Sequence, residues 1–297
     1  MAGPTRMKSF PISFSRHEAA LVAITMVWGA TFLTVQWAMH YSGALFFVGI
    51  RFLVAGGMTM LVFPRAMKGL TRRELYAGTA IGAALFLGYA LQSHGLKTIT
   101  SSQSAFITAL YVPLVPLLQW LVLRRPPRLM SWVGIALAFA GLALLAGPDA
   151  GRLTLSAGEI ATLLGALAIA AEIILIGRFA LEVDSRRVTA VQLTAGGAMS
   201  LMAMPLAGEA APAFHWAWLV GAVGLGVASA LIQLTMNWAQ KVVSPTRATL
   251  IYAGEPVWGG IFGRLAGDRL PPLALIGGAL IVAGVVAGEW RPRRWKG

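Results

Sequence analysis

Three residues carry formal charge inside stretches otherwise apolar enough to lie in hydrocarbon: Arg51, Glu172 and Glu255. A charge at mid-bilayer costs about 2.5–3.5 kcal/mol on insertion scales, so its presence there points to a pathway or a partner. At about 1.5 Å of rise per residue, Glu255 falls about 10 Å from the start of its run. Glu172 lies late in its own run and Arg51 early, which predicts two acids in the inner half of the core and one cation in the outer half. Plainer readings stay open: Arg51 snorkelling to headgroups, Glu172 ending a helix near Arg178, and Glu255 serving helix packing before Pro256.

Polar residues form stripes at helical spacing. Ser229, Gln233 and Asn237 recur at i, i+4, i+8; Ser104, Thr108 and Tyr111 at i, i+4, i+7; Tyr252, Glu255 and Gly259 at i, i+3, i+7. In a bilayer such stripes turn from lipid, either gluing helices or wetting a cavity. Trp28, Tyr89, Tyr111 and Trp258 would give a cavity aromatic walls, and Gln92 is a further candidate along the pathway. A substrate held mainly by these neutral groups would be zwitterionic or otherwise small and polar. Catalytic sets are missing from the pattern. Asp149, Asp184 and Asp268 fall between apolar runs, cysteine is absent, and His17, His40, His94 and His215 have no metal-ligand spacing. Neither a cofactor nor a metal is expected, and Gly259–Gly263 reads as a packing signature inside a span.

The elements that must position these residues are apolar runs. Of 297 residues 57% are hydrophobic and 12% charged, with no room between the runs for a soluble domain. The runs are Ala19 to Ala38, Ala44 to Phe63, Leu75 to Leu96, Ser102 to Leu123, Trp132 to Ala146, Gly158 to Gly177, Thr189 to Pro205, Trp216 to Trp238, Arg247 to Gly263 and Pro271 to Ala287. The first reads as a retained helix and not a signal peptide. The expectation is an all-α integral membrane protein of ten transmembrane helices. A net charge of +13 excludes little alone, but the cations cluster between runs, which speaks for an anionic membrane face and against nucleic acid. Lys and Arg number 19 at the termini and even-numbered connections against 4 at the odd-numbered ones, so both termini are expected in the cytoplasm. Trp37, Trp132, Trp216 and Trp290 at run ends suit the interface.

The chain also repeats. A shift of 143 residues lays Ser101 on Ser244, Ala105 on Ala248, Pro113 on Pro256, Gly134 on Gly277 and Gly141 on Gly284; a shift of 140 lays Leu53-Val-Ala-Gly-Gly57 on Leu193-Thr-Ala-Gly-Gly197. Five runs per half is an odd number, so the halves are expected to insert in opposite orientations. That is the inverted-topology repeat of many alternating-access carriers, with the substrate site near midplane at the repeat interface. Pro113 and Pro256 are then paired hinge candidates.

Trp28-Gly-Ala-Thr-Phe32, Arg51-Phe52, Gly95-Leu96, the Pro113 run followed by Gly134 and Gly141, and Glu255-Pro256 with the glycine-rich last run resemble the EamA repeats of the drug/metabolite transporter superfamily, over roughly residues 19–288. Two departures stand out: Leu123-Arg-Arg-Pro126 where the family often has Gly-Glu, and Gly267-Asp268 at the matching place in the second half. The resemblance implies a cytoplasmic segment 1–18, a first repeat 19–147, a connection 148–157, a second repeat 158–288 and a basic tail 289–297. It further implies export of small polar metabolites, commonly amino acids, across the inner membrane. The partners expected are the small-molecule substrate and the lipid bilayer, with no obligate protein partner evident. A channel or lipid-flipping protein is the alternative, and a membrane-embedded enzyme is disfavoured by the missing acid/base pairs.

Overall fold

The computed structural model describes residues 15–123, 129–145, 155–243, 245–267 and 272–289, among which there are helices and no strand. In chain order they are α1 (Arg16–Ala38), α2 (Ala44–Val62), α3 (Pro64–Met67), α4 (Arg72–Gly95), α5 (Ser101–Thr108), α6 (Tyr111–Leu123), α7 (Leu129–Leu145), α8 (Ala157–Phe179), α9 (Ser185–Ala203), α10 (Trp216–Ala239), α11 (Pro245–Tyr252), α12 (Glu255–Leu265) and α13 (Pro272–Glu289). Asp149, Asp268, Ser244, Trp290, the Arg-Arg-Pro triplet after Leu123, most of segment 1–18 and most of the basic tail lie outside the described residues.

Several helix starts are legible as local chemistry. Ser15, Thr71, Thr100 and Ser156 each precede a helix and carry Glu or Gln three residues on; all four close a reciprocal capping box, which satisfies N–H groups that a helix start leaves orphaned. Two of these boxes open α1 and α8, the corresponding first helices of the two halves.

Among the described residues, seven stretches are long and apolar enough to cross a bilayer: α1, α2, α4, the α5–α6 run, α8, α9 with its extension to Ala207, and α10. The chain is therefore a multi-pass membrane protein. The other three expected spans correspond to shorter helices. α7 has 17 residues, α11 and α12 divide the ninth run into 8 and 11, and the apolar part of α13 is Leu275–Gly284.

Packing runs chiefly between the halves. α2 lies on α9 and α7 on α13, each joining corresponding helices; α1 packs on α10 as α8 does on α4, α2 on α10 as α9 does on α4, and α1 on α12 as α8 does on α6. Exchanging the halves maps these pairings onto themselves. Small residues make the approaches possible. At the α2–α9 crossing the duplicated glycine motifs meet: a Cβ on Gly197 would sit 2.8 Å from the Leu53 amide nitrogen and 2.9 Å from the Gly49 carbonyl oxygen. At the α4–α8 crossing a Cβ on Gly165 would sit 2.9 Å from the carbonyl oxygen of Gly88.

Candidate functional site: a buried polar centre at two broken helices

Proline chemistry sets the site. Pro113 has no N–H to offer the Ala109 carbonyl, which accepts instead from Val112 N–H at 3.1 Å, and the fourth run breaks between α5 and α6. Pro256 likewise has none for the Tyr252 carbonyl. There the ninth run breaks at Ala253 and Gly254, with Gly254 N–H bonded to the Ile251 carbonyl at 3.1 Å. In each case the residue that opens the following half-helix is a functional candidate, Tyr111 in α6 and Glu255 in α12. The two meet across the halves, Tyr111 Oη donating to Glu255 Oε2 at 3.0 Å. A carboxylate in the first turn of α12 also suits the positive end of that helix.

Around this pair the structure gathers most of the sequence candidates. Trp28 lies parallel to Tyr111 with ring centroids 6.2 Å apart and edge-on to Tyr252 at 5.9 Å. Arg51 does not snorkel: it is 1% exposed, its Nε donates to Ser229 Oγ at 2.7 Å, and its guanidinium stands 5.0 Å from the Tyr89 ring centroid. Glu172 is not a helix-end residue in contact with water either, being 0% exposed. Arg51, Glu172 and Glu255 all lie within electrostatic reach of Tyr89, and Glu172 also of Tyr252. Tyr89 is thus a common neighbour of both acids and the cation, a relation that counting rise along separate straight helices does not give.

Polar stripes resolve into an amide chain. Gln192 Nε2 donates to Gln233 Oε1 at 2.8 Å, while Asn237 Nδ2 donates to Gln192 Oε1 and Thr189 Oγ1, each at 3.0 Å. Gln240 Nε2 donates to Tyr252 Oη at 3.3 Å. Gln192, Thr189 and Gln240 were not singled out from sequence; Thr189 and Gln192, three residues apart within the seventh run, carry the same in-span polar signal that picked out Gln233. Two candidates stay apart from the centre. Gln92, buried, donates to Thr108 Oγ1 at 3.0 Å and ties α4 to α5. Trp258, half-buried, stacks on Phe262 at 6.3 Å, and its Cβ packs against Gly29 of α1.

Both ends of the bundle are held by carboxylates. At one end, Glu74 at the start of α4 accepts from Asp184 N–H at 3.0 Å and Arg187 Nη1 at 3.3 Å, Arg73 pairs with Glu182, and Lys241 Nζ reaches the Val183 carbonyl at 2.9 Å. Arg186, bonded to Asp184, holds that carboxyl down at about 2. At the other end, Glu209 accepts from Phe46 N–H at 2.7 Å and Leu45 N–H at 3.3 Å, capping the start of α2, and Ser200 Oγ bonds the Leu45 carbonyl at 2.9 Å. The two arrangements correspond when the halves are exchanged: an acid from the segment joining the second and third spans of one half holds the start of the second span of the other.

The EamA-like transporter family matches residues 17–147 and 156–287, covering both repeats. This chain belongs to that family. Among its relatives, an uncharacterized transporter of Archaeoglobus fulgidus is 27% identical over 273 residues, spanning 91% of this chain and 84% of the relative. The uncharacterized inner membrane transporter YedA of Escherichia coli is 28% identical over 278 residues, spanning 90% and 88%. A solved crystal structure shares the fold with a TM-score of 0.68 at 19% identity, covering 93% of this chain and 96% of the other. For this EamA-like transporter the drug/metabolite superfamily resemblance read from the motifs is correct.

Proposed function

We propose that this EamA-like protein is a secondary carrier that exports small polar metabolites, amino acids foremost, by alternating access across the inner membrane, with both termini cytoplasmic. One observation carries the reading: Trp28, Arg51, Tyr89, Tyr111, Glu172, Gln233, Tyr252 and Glu255 form a polar, aromatic centre between the halves in which no residue is more than 2% exposed, so the centre is shut from both faces. Broken helices opening on such a centre are the usual construction of a carrier site. Pairings that survive exchange of the halves support ten crossings in two inverted five-helix repeats. Pro113 and Pro256 are proposed as the hinges on which the half-helices tilt, and the carboxylate clasps at the two ends as what must open in turn.

The alternative of a lipid-flipping protein finds a lateral groove of about 950 Å³ along α12 and α13, lined by apolar side chains with Arg264. None of its lining residues belongs to the polar centre, so it offers no route through it. The test is solute counterflow in proteoliposomes with purified protein. Saturable exchange of preloaded amino acid supports a carrier, non-saturating flux a channel, and a chemically altered product an enzyme.

A further inference from the structure

The polar atoms left without a partner in the centre describe its ligand. Among the described residues, neither oxygen of Glu172 meets hydrogen-bond geometry with any group, although Gln233 approaches it; Glu255 Oε1, Gln240 Oε1, Arg51 Nη2, Gln233 Nε2 and Trp28 Nε1 are likewise unsatisfied. The amide chain through Gln192, Gln233 and Asn237 spends most of its capacity internally. What stays open is therefore dominated by charge, contrary to the expectation that neutral groups do most of the holding. Unpartnered acceptors outnumber donors, and two acids and one guanidinium are all neighbours of Tyr89. No ion pair within 4.0 Å joins Arg51 to either acid among the described residues. A buried carboxylate without a partner is strongly unfavourable, so Glu172 takes up either a proton or a positive group of a ligand, and the second option exchanges one for the other.

Resting on the carrier reading above, we propose that the substrate bears a net positive charge: an ammonium seated on Glu172 and Glu255, and an acceptor group such as a carboxylate on Arg51 Nη2. An ammonium brings three N–H donors and no acceptor, which matches the surplus of open oxygens. The faces of Trp28, Tyr111 and Tyr252 favour a cation further. Arg51, fixed by Ser229 at 2.7 Å and backed by the Tyr89 ring, presents its free nitrogen to an anionic or carbonyl oxygen. A basic amino acid fits this pattern, with one carboxylate and two ammonium groups. A neutral zwitterion leaves one protein carboxylate uncompensated, and an acidic amino acid worsens the imbalance.

The experiment is counterflow into proteoliposomes with L-lysine, L-glutamine and L-glutamate as probes, run on wild type, Glu172→Gln and Glu172→Asp, each checked for monodispersity. Wild type is expected to prefer lysine over glutamine by about tenfold or more, with glutamate poorest, as a site built around a paired charge discriminates. Glu172→Gln collapses the lysine-to-glutamine ratio about tenfold, and Glu172→Asp retains the preference. Saturable exchange in which glutamine or glutamate matches lysine, or a lysine preference unchanged in Glu172→Gln, overturns the charge assignment and leaves the carrier standing. Absence of saturable exchange for every probe in wild type overturns both. If Glu172→Gln is not monodisperse, the wild-type ranking of the three probes decides alone.

Discussion

At the scale of single residues, Tyr111 and Glu255 act as one unit. Phenylalanine at position 111 keeps the ring against Trp28 but withdraws the only hydrogen bond that Glu255 receives from the described residues, leaving a buried carboxyl wholly unsatisfied. Tyr111→Phe should therefore lower stability by about 1–3 kcal/mol, the cost of orphaning a buried acceptor, visible as a lower thermal midpoint in detergent. Glu255→Gln should lose less stability, because the Tyr111 hydroxyl can still donate to the amide oxygen, yet impair transport more. Equal stabilities and equal transport rates in the two variants and wild type would break the unit. Much of this site was legible beforehand, since a charge or amide inside an apolar run is conspicuous in the sequence itself. Its partners were not. Tyr111 and Glu255 lie 144 positions apart, and no local spacing reveals a bond made across two halves. Nor did spacing separate Trp258 from Trp28: both sit near mid-span, but Trp258 leads away along α12 toward Phe262.

At the scale of elements, the clasps are proposed to decide which face opens. Glu209 holds the start of α2 through Leu45 and Phe46, and Glu74 holds the start of α9 through Asp184 and Arg187. Glu209→Ala leaves two N–H groups of a helix start without their carboxylate, a loss of about 0.5–2 kcal/mol. A bias of that size shifts the balance between closed and open forms by roughly twofold to thirtyfold. Because the natural chain has no cysteine, Ser229→Cys beside Arg51 is a clean reporter of access to the centre. Glu209→Ala should speed its labelling from outside and Glu74→Ala from inside; the same face quickening in both would refute opposed clasps. The Glu74 clasp also carries a pH signature. Asp184 is held at about 2 by Arg186, against an ordinary value of 3.8, so its stabilisation is present above that ordinary value and disappears as pH falls toward 2. Acid melting between pH 4 and 2 should accordingly flatten in Asp184→Asn, followed by thermal midpoint. These clasps were not read from the sequence, because only the fold carries Glu74 and Glu209 each to the other half.

At the scale of the whole molecule, the repeat was readable because duplication preserves rare residues: Pro113 with Pro256, and the two Leu-x-Ala-Gly-Gly motifs, which meet at the α2–α9 crossing. The division of the ninth run was less readable, since proline announces a kink without saying whether the chain bends or breaks. Charge then orients the bundle. Arg65, Lys68, Arg72, Arg73, Arg178, Arg186, Arg187 and Lys241 flank the helix ends that carry the Glu74 clasp, whereas Lys97 and Arg264 flank the opposite ends. On the positive-inside rule the first group is proposed to face the cytoplasm, and if each half crosses five times, as proposed, the second repeat enters in the reverse sense. His40 and Lys68 are both exposed and lie at opposite ends of α1 and α2. Single cysteines at these positions in the cysteine-free chain make the orientation measurable in intact cells. The His40→Cys protein should react with an impermeant maleimide added outside and the Lys68→Cys protein only after the membrane is opened; the converse pattern would turn the molecule over, and with it the direction assigned to each clasp.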